Sequence, residues 1–185
     1  MRQKLWKNLQ GFRESANIWF NKAFREQDAN EIVNKIKDFE RENLQLRAQL
    51  PRDVPDQVLE TLRNEVKDVA IYGNLIVALG NKALEEKHWE KIFHLIEQPK
   101  PSSLNTFNLQ FLVENGILKE FERVDEISAF ASGESTINTA LNEISNFWAN
   151  EALFTVLSYR DSKDRFIIGD VEDTIAQLED NQMSI

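Results

Sequence analysis

The sequence predicts a mainly α-helical fold, an elongated antiparallel helical bundle or rod with one small β-hairpin near the C-terminus. Three observations support this prediction. Apolar residues recur at spacings of three and four over most of the chain, which is the period of an α-helix. Glycine and proline, which interrupt helices, number only 6 and 4 among 185 residues. Runs of β-branched and aromatic residues bounded by turn residues occur only near the C-terminus.

The first predicted helix has one continuous apolar face. Its members share helical spacing: Leu5, Leu9, Phe12, Ala16, Trp19 and Ala23. Asp28 follows as a predicted N-cap of the second helix, because its short side chain can accept hydrogen bonds from the first free N–H groups. Glu31, three residues later, is placed to complete a capping box.

The second and third predicted helices continue the same pattern. The second has an apolar face made of Ile32, Ile36, Phe39, Leu46 and Leu50. Asn43 interrupts this face, either as a buried residue that fixes register or as a wet position. The helix ends before Pro51, because a residue that precedes proline is driven out of helical geometry. The third helix has Pro55 in its first turn and runs through Val58, Leu59, Leu62, Val66 and Val69.

Shorter helices are predicted in the middle of the chain. The apolar stretch from Val69 to Leu79, ended by Gly80, predicts a buried short helix or turn. A further helix over residues 87–98 has an inner face made of Trp89, Ile92, Phe93 and Ile96. Thr106 is predicted to cap the next short helix, and Gly116 is predicted to end it in the left-handed conformation.

The longest apolar pattern predicts a helix whose inner face is a heptad seam. Its members are Ile127, Phe130, Glu134, Ile137, Leu141, Ile144 and Trp148. Glu134 is a carboxylate in this seam, and burying an unpaired charge is costly. We therefore expect it to meet a basic or backbone donor near Lys87, His88 or Trp89; the alternative is that the seam opens and this carboxylate reaches water. Trp89 and Trp148 are predicted core anchors.

The tail predicts a hairpin and a final helix. Leu153–Tyr159 and Arg165–Ile168 are β-type runs separated by five polar residues, which together predict a hairpin around residues 153–168. Asp170 and Asp173 are predicted to begin a last helix over Val171–Asp180.

The composition and motifs argue against catalysis. With no cysteine there is no zinc–cysteine site and no thiol nucleophile, and no two glycines lie close enough to form a phosphate loop. His88 and His94 are six residues apart, about 120° around a helix, so they cannot chelate one metal from a single face. The net charge of −9 disfavours nucleic acid, and no apolar run is long enough to span a membrane. We therefore expect an intracellular protein without catalytic, cofactor-binding or metal-binding residues.

One stretch resembles the linker of dynein heavy chains, the segment that precedes the AAA+ ring. Residues 83–89 read Ala-Leu-Glu-Glu-Lys-His-Trp, similar to the family's leucine-x-x-arginine-histidine-tryptophan signature with Lys87 in place of arginine. The later helix resembles the family's alanine-glutamate-and-tryptophan helix, and the closing segment resembles its hairpin and following helix. The residues carried over by this resemblance are Leu84, Lys87, His88, Trp89, Ala131, Glu134, Leu141, Trp148 and Asp180.

The resemblance implies a mechanical role rather than a chemical one. It implies roughly the N-terminal half of the linker, with one helical subdomain at residues 1–81 and a second at residues 82–185. The linker is expected to transmit the ATP-driven change of the ring to the tail of an axonemal motor, in a cilium or flagellum. ATP, magnesium and the microtubule would all be bound elsewhere in the parent chain. The partners implied are the remainder of the linker and the AAA+ ring, with no nucleic acid and no membrane.

A second hypothesis remains open on the residues alone. The heptad seam is also typical of a stand-alone helical adaptor that binds partner helices through apolar stripes.

The charge distribution adds one expectation to either hypothesis. Residues 1–50 carry 10 basic and 7 acidic side chains, whereas residues 101–185 carry 5 basic and 15 acidic ones. We therefore expect the C-terminal part to meet a basic surface.

Overall fold

A computed structural model describes residues 2–49, 56–151, 156–161, 164–169 and 171–184. Its helices and strands, in chain order, are α1 (Arg2–Asn21), α2 (Ala29–Gln49), α3 (Gln57–Ala70), α4 (Gly73–Leu79), α5 (Glu86–Leu95), α6 (Leu109–Glu114), α7 (Phe121–Asn146), β1 (Val156–Ser158), β2 (Phe166–Ile168) and α8 (Val171–Ser184). The fold is mostly helical with one small sheet, which confirms the predicted class. No helix within the described ranges combines the length and the apolar character needed to cross a bilayer.

The chain divides into two compact units, residues 1–132 and residues 133–185. One hydrophobic core runs through the first unit and draws buried residues from Leu9 to Ala131. This core crosses the position between residues 81 and 82 where the sequence placed a subdomain boundary. The assignment of linker subdomains to 1–81 and 82–185 stays a prediction.

The apolar face predicted for α1 is confirmed. Leu5, Leu9, Phe12 and Trp19 are buried, and the helix ends at Asn21, so Ala23 lies beyond it in a single antiparallel bridge to Asn108.

The predicted cap of α2 is also confirmed. The Asp28 carboxylate accepts hydrogen bonds from the N–H groups of Asn30 (2.8 Å) and Glu31 (3.1 Å), whereas the Glu31 carboxylate pairs with Lys35. Along this helix the interrupting Asn43 is buried, and its Nδ2 finds no hydrogen-bond acceptor among the described residues.

Helix α3 packs against both α1 and α2 through a buried stripe of Leu59, Leu62 and Val66. The helix begins at Gln57, because the Asp56 carboxylate accepts from the N–H groups two and three residues ahead. Five residues with predicted roles lie outside the described residues: Leu50, Pro51, Pro55, Leu153 and Asp170. An exposed ion pair between Arg13 and Glu65 joins α1 to α3, and hydrogen bonding to this carboxylate raises the pKa of the Arg13 guanidinium.

The short apolar helix predicted before Gly80 is confirmed as α4. Leu75, Ile76, Ala78 and Leu79 are buried, and Gly80 ends the helix where it approaches α2. A Cβ atom at Gly80 would overlap the methyl group of Ala29, so the two backbones approach closely only because this residue is glycine.

One predicted cap is wrong. Thr106 does not begin α6: its hydroxyl donates to the carbonyl of Ser103 at 2.7 Å, and the side chain of Asn108 caps the helix by accepting from the Phe111 N–H at 2.9 Å. Threonine and asparagine are both cap residues, and two positions separate them, so the sequence alone did not decide between them.

The left-handed conformation predicted for Gly116 is confirmed by its φ of 81°, and a 3₁₀ turn over Ile117–Glu120 follows.

The heptad seam predicted for α7 is not the buried face of that helix. The buried residues are Val124, Ser128 and Ala131, whereas Phe130 is 62% exposed and Ile137 is 56% exposed. Of the residues that define the heptad pattern, Ile127 is partly buried against the core, whereas Phe130, Ile137 and Leu141 are exposed.

The second unit contains the end of α7, a π turn over Phe147–Glu151, the hairpin and α8. Strands β1 and β2 pair antiparallel with Val156 opposite Ile168 and Ser158 opposite Phe166, which confirms the predicted hairpin. The large hydrophobic residues of both strands are exposed. Trp148 is half-buried beside Phe147, and its role as a core anchor stays a prediction.

Candidate functional site

The segment that carries the sequence signature begins helix α5. Leu84 is buried immediately before the helix, and His88 and Trp89 are buried within its first turn. Lys87 points to the opposite side and pairs with the Glu85 carboxylate at 3.3 Å. The helical period explains this division, because Leu84 and His88 are four residues apart and share a face that Lys87 does not.

His88 helps to cap its own helix. Its Nδ1 atom accepts a hydrogen bond from the backbone N–H of Glu85 at 3.1 Å. This contact gives the Glu85 N–H, which is free at the start of the helix, an acceptor. The imidazole also meets the Phe130 ring edge-on at 6.3 Å, and Lys91 lies over the same ring at 5.6 Å. His88 is therefore a structural residue that joins the start of α5 to α7.

Trp89 stands in an aromatic cluster at the centre of the first unit. The centroid of its ring lies 5.0 Å from that of Phe107 and 6.3 Å from that of Phe93. The rings of Phe93 and Phe107 meet edge-on, with their centroids 5.2 Å apart. Phe24 stacks on Phe107, and its N–H donates to the Phe107 carbonyl at 3.0 Å. The cluster therefore connects the turn after α1, helix α5 and the loop before α6. The sequence predicted Trp89 as a core anchor, and this is confirmed.

Asn81 connects the turn between α4 and α5 to α7. Its side-chain amide donates to the Ser128 carbonyl at 2.9 Å and to the Ser132 hydroxyl at 2.7 Å, while its oxygen accepts from the Ala83 N–H at 3.0 Å. Asparagine suits this position because one side chain can both donate twice and accept. Sequence reasoning missed this residue, although an asparagine directly after a helix-ending glycine is a turn signal.

The remaining signature residues lie in different surroundings. Ala131 is buried in the same core as Leu84 and Trp89, so three of the nine come together. Glu134 is half-buried, and its predicted partner near the start of α5 stays a prediction. Leu141 is 42% exposed and Asp180 is exposed. The significance of these residues as a family signature also stays a prediction.

No group of three or more metal-binding side chains comes together in the described part of the chain. His94 is exposed on α5 while His88 is buried, so the two histidines diverge as predicted. A surface cavity of about 320 Å³ beside the aromatic cluster is lined by Phe93, Pro99, Pro101, Thr106, Phe107, Asn108 and Phe111. None of these residues is acidic or basic, so this cavity provides no acid, base or charged nucleophile.

Comparison with known proteins gives a consistent result. The sequence matches the family described as dynein heavy chain, N-terminal region 2, over residues 1–185. It is 26% identical over 183 residues to dynein axonemal heavy chain 2 of Mus musculus, which covers 99% of this chain and 4% of the relative. It is 24% identical over 185 residues to dynein axonemal heavy chain 6 of Homo sapiens, covering 100% of this chain and 4% of the relative. It is 30% identical to cytoplasmic dynein 2 heavy chain 1 of Rattus norvegicus over 125 residues, covering 65% of this chain and 3% of the relative.

Proposed function

This chain belongs to the dynein heavy chain family, as its N-terminal region 2, and from this premise we propose that it is a lever segment of an axonemal dynein motor. It spans about 4% of the length of the axonemal relatives, so ATP hydrolysis and microtubule binding are assigned to other parts of the parent chain. The segment would transmit the conformational change of the AAA+ ring toward the tail. Its partners would be the rest of the linker and the ring of the same heavy chain, in the axoneme of a cilium or flagellum.

The observation that carries this proposal is the main core of the first unit, beside which Leu5, Leu46 and Leu59 form a second, small cluster. Buried residues from Leu9 to Ala131 form one cluster, and the aromatic contacts of Trp89 lie within it. Close-packed interiors have low compressibility and transmit strain, which is the property that a lever requires. The hydrogen bonds of Asn81 add a directional connection between the α4–α5 turn and α7.

The test requires the intact motor, because only the motor converts ATP hydrolysis into movement. Ile92→Ala removes volume from a side chain with no exposed surface in α5, whereas Ile71→Ala changes the same residue type at a position that is 58% exposed. We expect the Ile92 variant to retain ATP turnover but to move microtubules more slowly in a gliding assay, because a loosened lever loses part of each stroke. The Ile71 variant should match the unaltered motor in both measurements.

Limited proteolysis of the same two variants determines whether the unit has loosened. If the Ile92 variant is cleaved faster within residues 1–132 and yet glides at normal speed, the segment is not a lever. A fall in ATP turnover that accounts for the entire loss of speed would also argue against the proposal, because it would place the defect in the ring.

A further inference from the structure

Helix α8 presents its apolar side to the surroundings. Val171, Ile175 and Leu178 are separated by four and three residues and so share one face of the helix. They are 47%, 48% and 51% exposed, respectively. We call these three residues the α8 stripe.

The sheltered side of the same helix is polar. Its partly buried positions are Thr174, Gln177 and Asn181, and the Gln177 amide donates to the Asn181 side chain at 3.4 Å. A surface helix of a globular protein normally turns its apolar face to the core and its polar face to water. Helix α8 has the opposite arrangement, which is the arrangement of a helix whose apolar face is kept for another contact.

Acidic residues border the α8 stripe. Glu172 and Glu179 are seven residues apart, each directly follows a stripe residue, and both are exposed. In paired helices the positions beside the apolar seam select the partner by charge. The rest of the second unit adds to this negative charge, because residues 133–185 contain 10 acidic and 3 basic side chains.

We propose that the α8 stripe docks a basic amphipathic helix of the same heavy chain, from outside residues 1–185. The charge of this surface disfavours a second copy of the unit, an anionic membrane and nucleic acid, since each would bring further negative charge. In a helix whose apolar stripe is bordered by lysine or arginine, the apolar residues can cover the α8 stripe and the basic residues can pair with its acidic border. The choice of the same heavy chain rests on the proposed function, in which the lever works against other parts of its own polypeptide.

The source of the partner is tested by photocrosslinking in the intact heavy chain. A benzophenone amino acid replaces Ile175, the complex is irradiated, and mass spectrometry identifies the attached peptide. We expect a peptide of the same heavy chain whose apolar residues recur at helical spacing beside lysine or arginine. Attachment to residues 1–132, to a second copy of residues 133–185, to another polypeptide or to no peptide would overturn the proposal.

The chemistry of the partner is tested separately with the 185-residue chain. The probes are two synthetic helical peptides with the same leucine stripe, one bordered by lysine and one by glutamate, and fluorescence anisotropy measures their Kd. We expect the lysine peptide to bind and the glutamate peptide not to bind. Ile175→Ser with Leu178→Ser should abolish binding of the lysine peptide, because these changes remove the stripe without changing its charge.

A charge-matched pair of variants separates docking from general attraction. Glu172→Gln with Glu179→Gln should raise the Kd of the lysine peptide about fivefold, as expected for the loss of two exposed ion pairs. Asp173→Asn with Asp180→Asn removes the same net charge from exposed positions on the side of α8 away from the stripe and should leave the Kd unchanged. An equal loss in both double variants, or equal binding of the two peptides, would overturn the proposal. The gliding result with Ile92→Ala is independent of these measurements, so failure of the docking proposal is distinguishable from failure of the lever proposal.

Discussion

The substitution Leu62→Ala tests how tightly the first unit is packed. Leu62 lies in the middle of α3, has no exposed surface and belongs to the core shared with α1 and α2. Because α3 packs between these two long helices, a cavity at Leu62 would reduce the contact of α3 with both of them. Leu44 on α2 is 72% exposed, which makes Leu44→Ala a matched control of the same residue type in a helix interior.

The expected loss follows from the atoms removed. Leucine to alanine deletes three carbon atoms, at about 0.8 kcal/mol for each methylene-sized group that leaves a buried site. Incomplete collapse of the cavity adds to this, and measured losses at fully buried leucines reach about 5 kcal/mol. A residue with no exposed surface between packed helices has little room to relax, so we expect the free energy of unfolding to fall by about 3–4 kcal/mol.

Urea unfolding followed by far-UV circular dichroism provides the measurement. For an m-value of about 1.5–2 kcal/mol/M, the Leu62→Ala midpoint should fall by roughly 2 M urea. Leu44→Ala should change the free energy of unfolding by no more than about 0.5 kcal/mol. A loss below about 1 kcal/mol at Leu62, or equal losses in the two variants, would refute a close-packed first unit.

Three further substitutions test individual contacts, and each is read by the same urea titration. Gly80→Ala should cost about 1–3 kcal/mol because its new methyl group overlaps Ala29, whereas Gly11→Ala meets no atom within 4 Å and should stabilise α1 by about 0.5–1 kcal/mol. Asn81→Ala should cost about 1–3 kcal/mol, because it removes the side-chain donor that meets the buried Ser128 on α7. Glu134→Ala should cost roughly 1–3 kcal/mol if this carboxylate has the predicted hydrogen-bonded partner.

For each of these substitutions, one result would contradict the physical explanation given for it. A neutral Gly80→Ala would mean that α4 and α2 can separate without loss. The control for Asn81 is Asn34→Ala at an exposed position of α2, and equal effects at the two sites would remove the special role of Asn81. An unchanged midpoint for Glu134→Ala would support the alternative in which this carboxylate reaches water.

The helices of the first unit could be predicted well from the sequence, and the reason is physical. Their apolar residues keep the helical period over several turns, so the buried faces of α1, α2 and α3 follow from spacing alone. The αL conformation of Gly116 was also predictable, because few other residues adopt a positive φ without cost. The Thr106 prediction failed because two cap residues lie close together and only the tertiary fold selects Asn108.

The site depended on contacts that spacing does not encode. Asn81 and Ser128 are 47 residues apart, and the bridge between Ala23 and Asn108 joins segments that are 85 positions apart along the chain. Each contact depends on how the helices pack together. Local residue spacing therefore does not predict it. The residue types are informative only afterwards, since the small Ser128 on α7 permits the close approach that its hydrogen bond requires.

The failed heptad prediction on α7 and the exposed stripe on α8 have one explanation. Apolar periodicity identifies the face of a helix that gains free energy from leaving water, but it does not identify the surface that covers that face. In the first unit other helices of the same unit cover these faces, so the periodic residues of α1 and α3 are buried. On α8 the periodic residues are half-exposed, and polar residues occupy the sheltered positions. If the stripe is apolar because it docks a partner, that partner must offset the cost of leaving three large side chains in water. An acidic border then favours a basic helix over other apolar surfaces, which is why the charge variants, and not the apolar variants alone, determine whether the docking is specific.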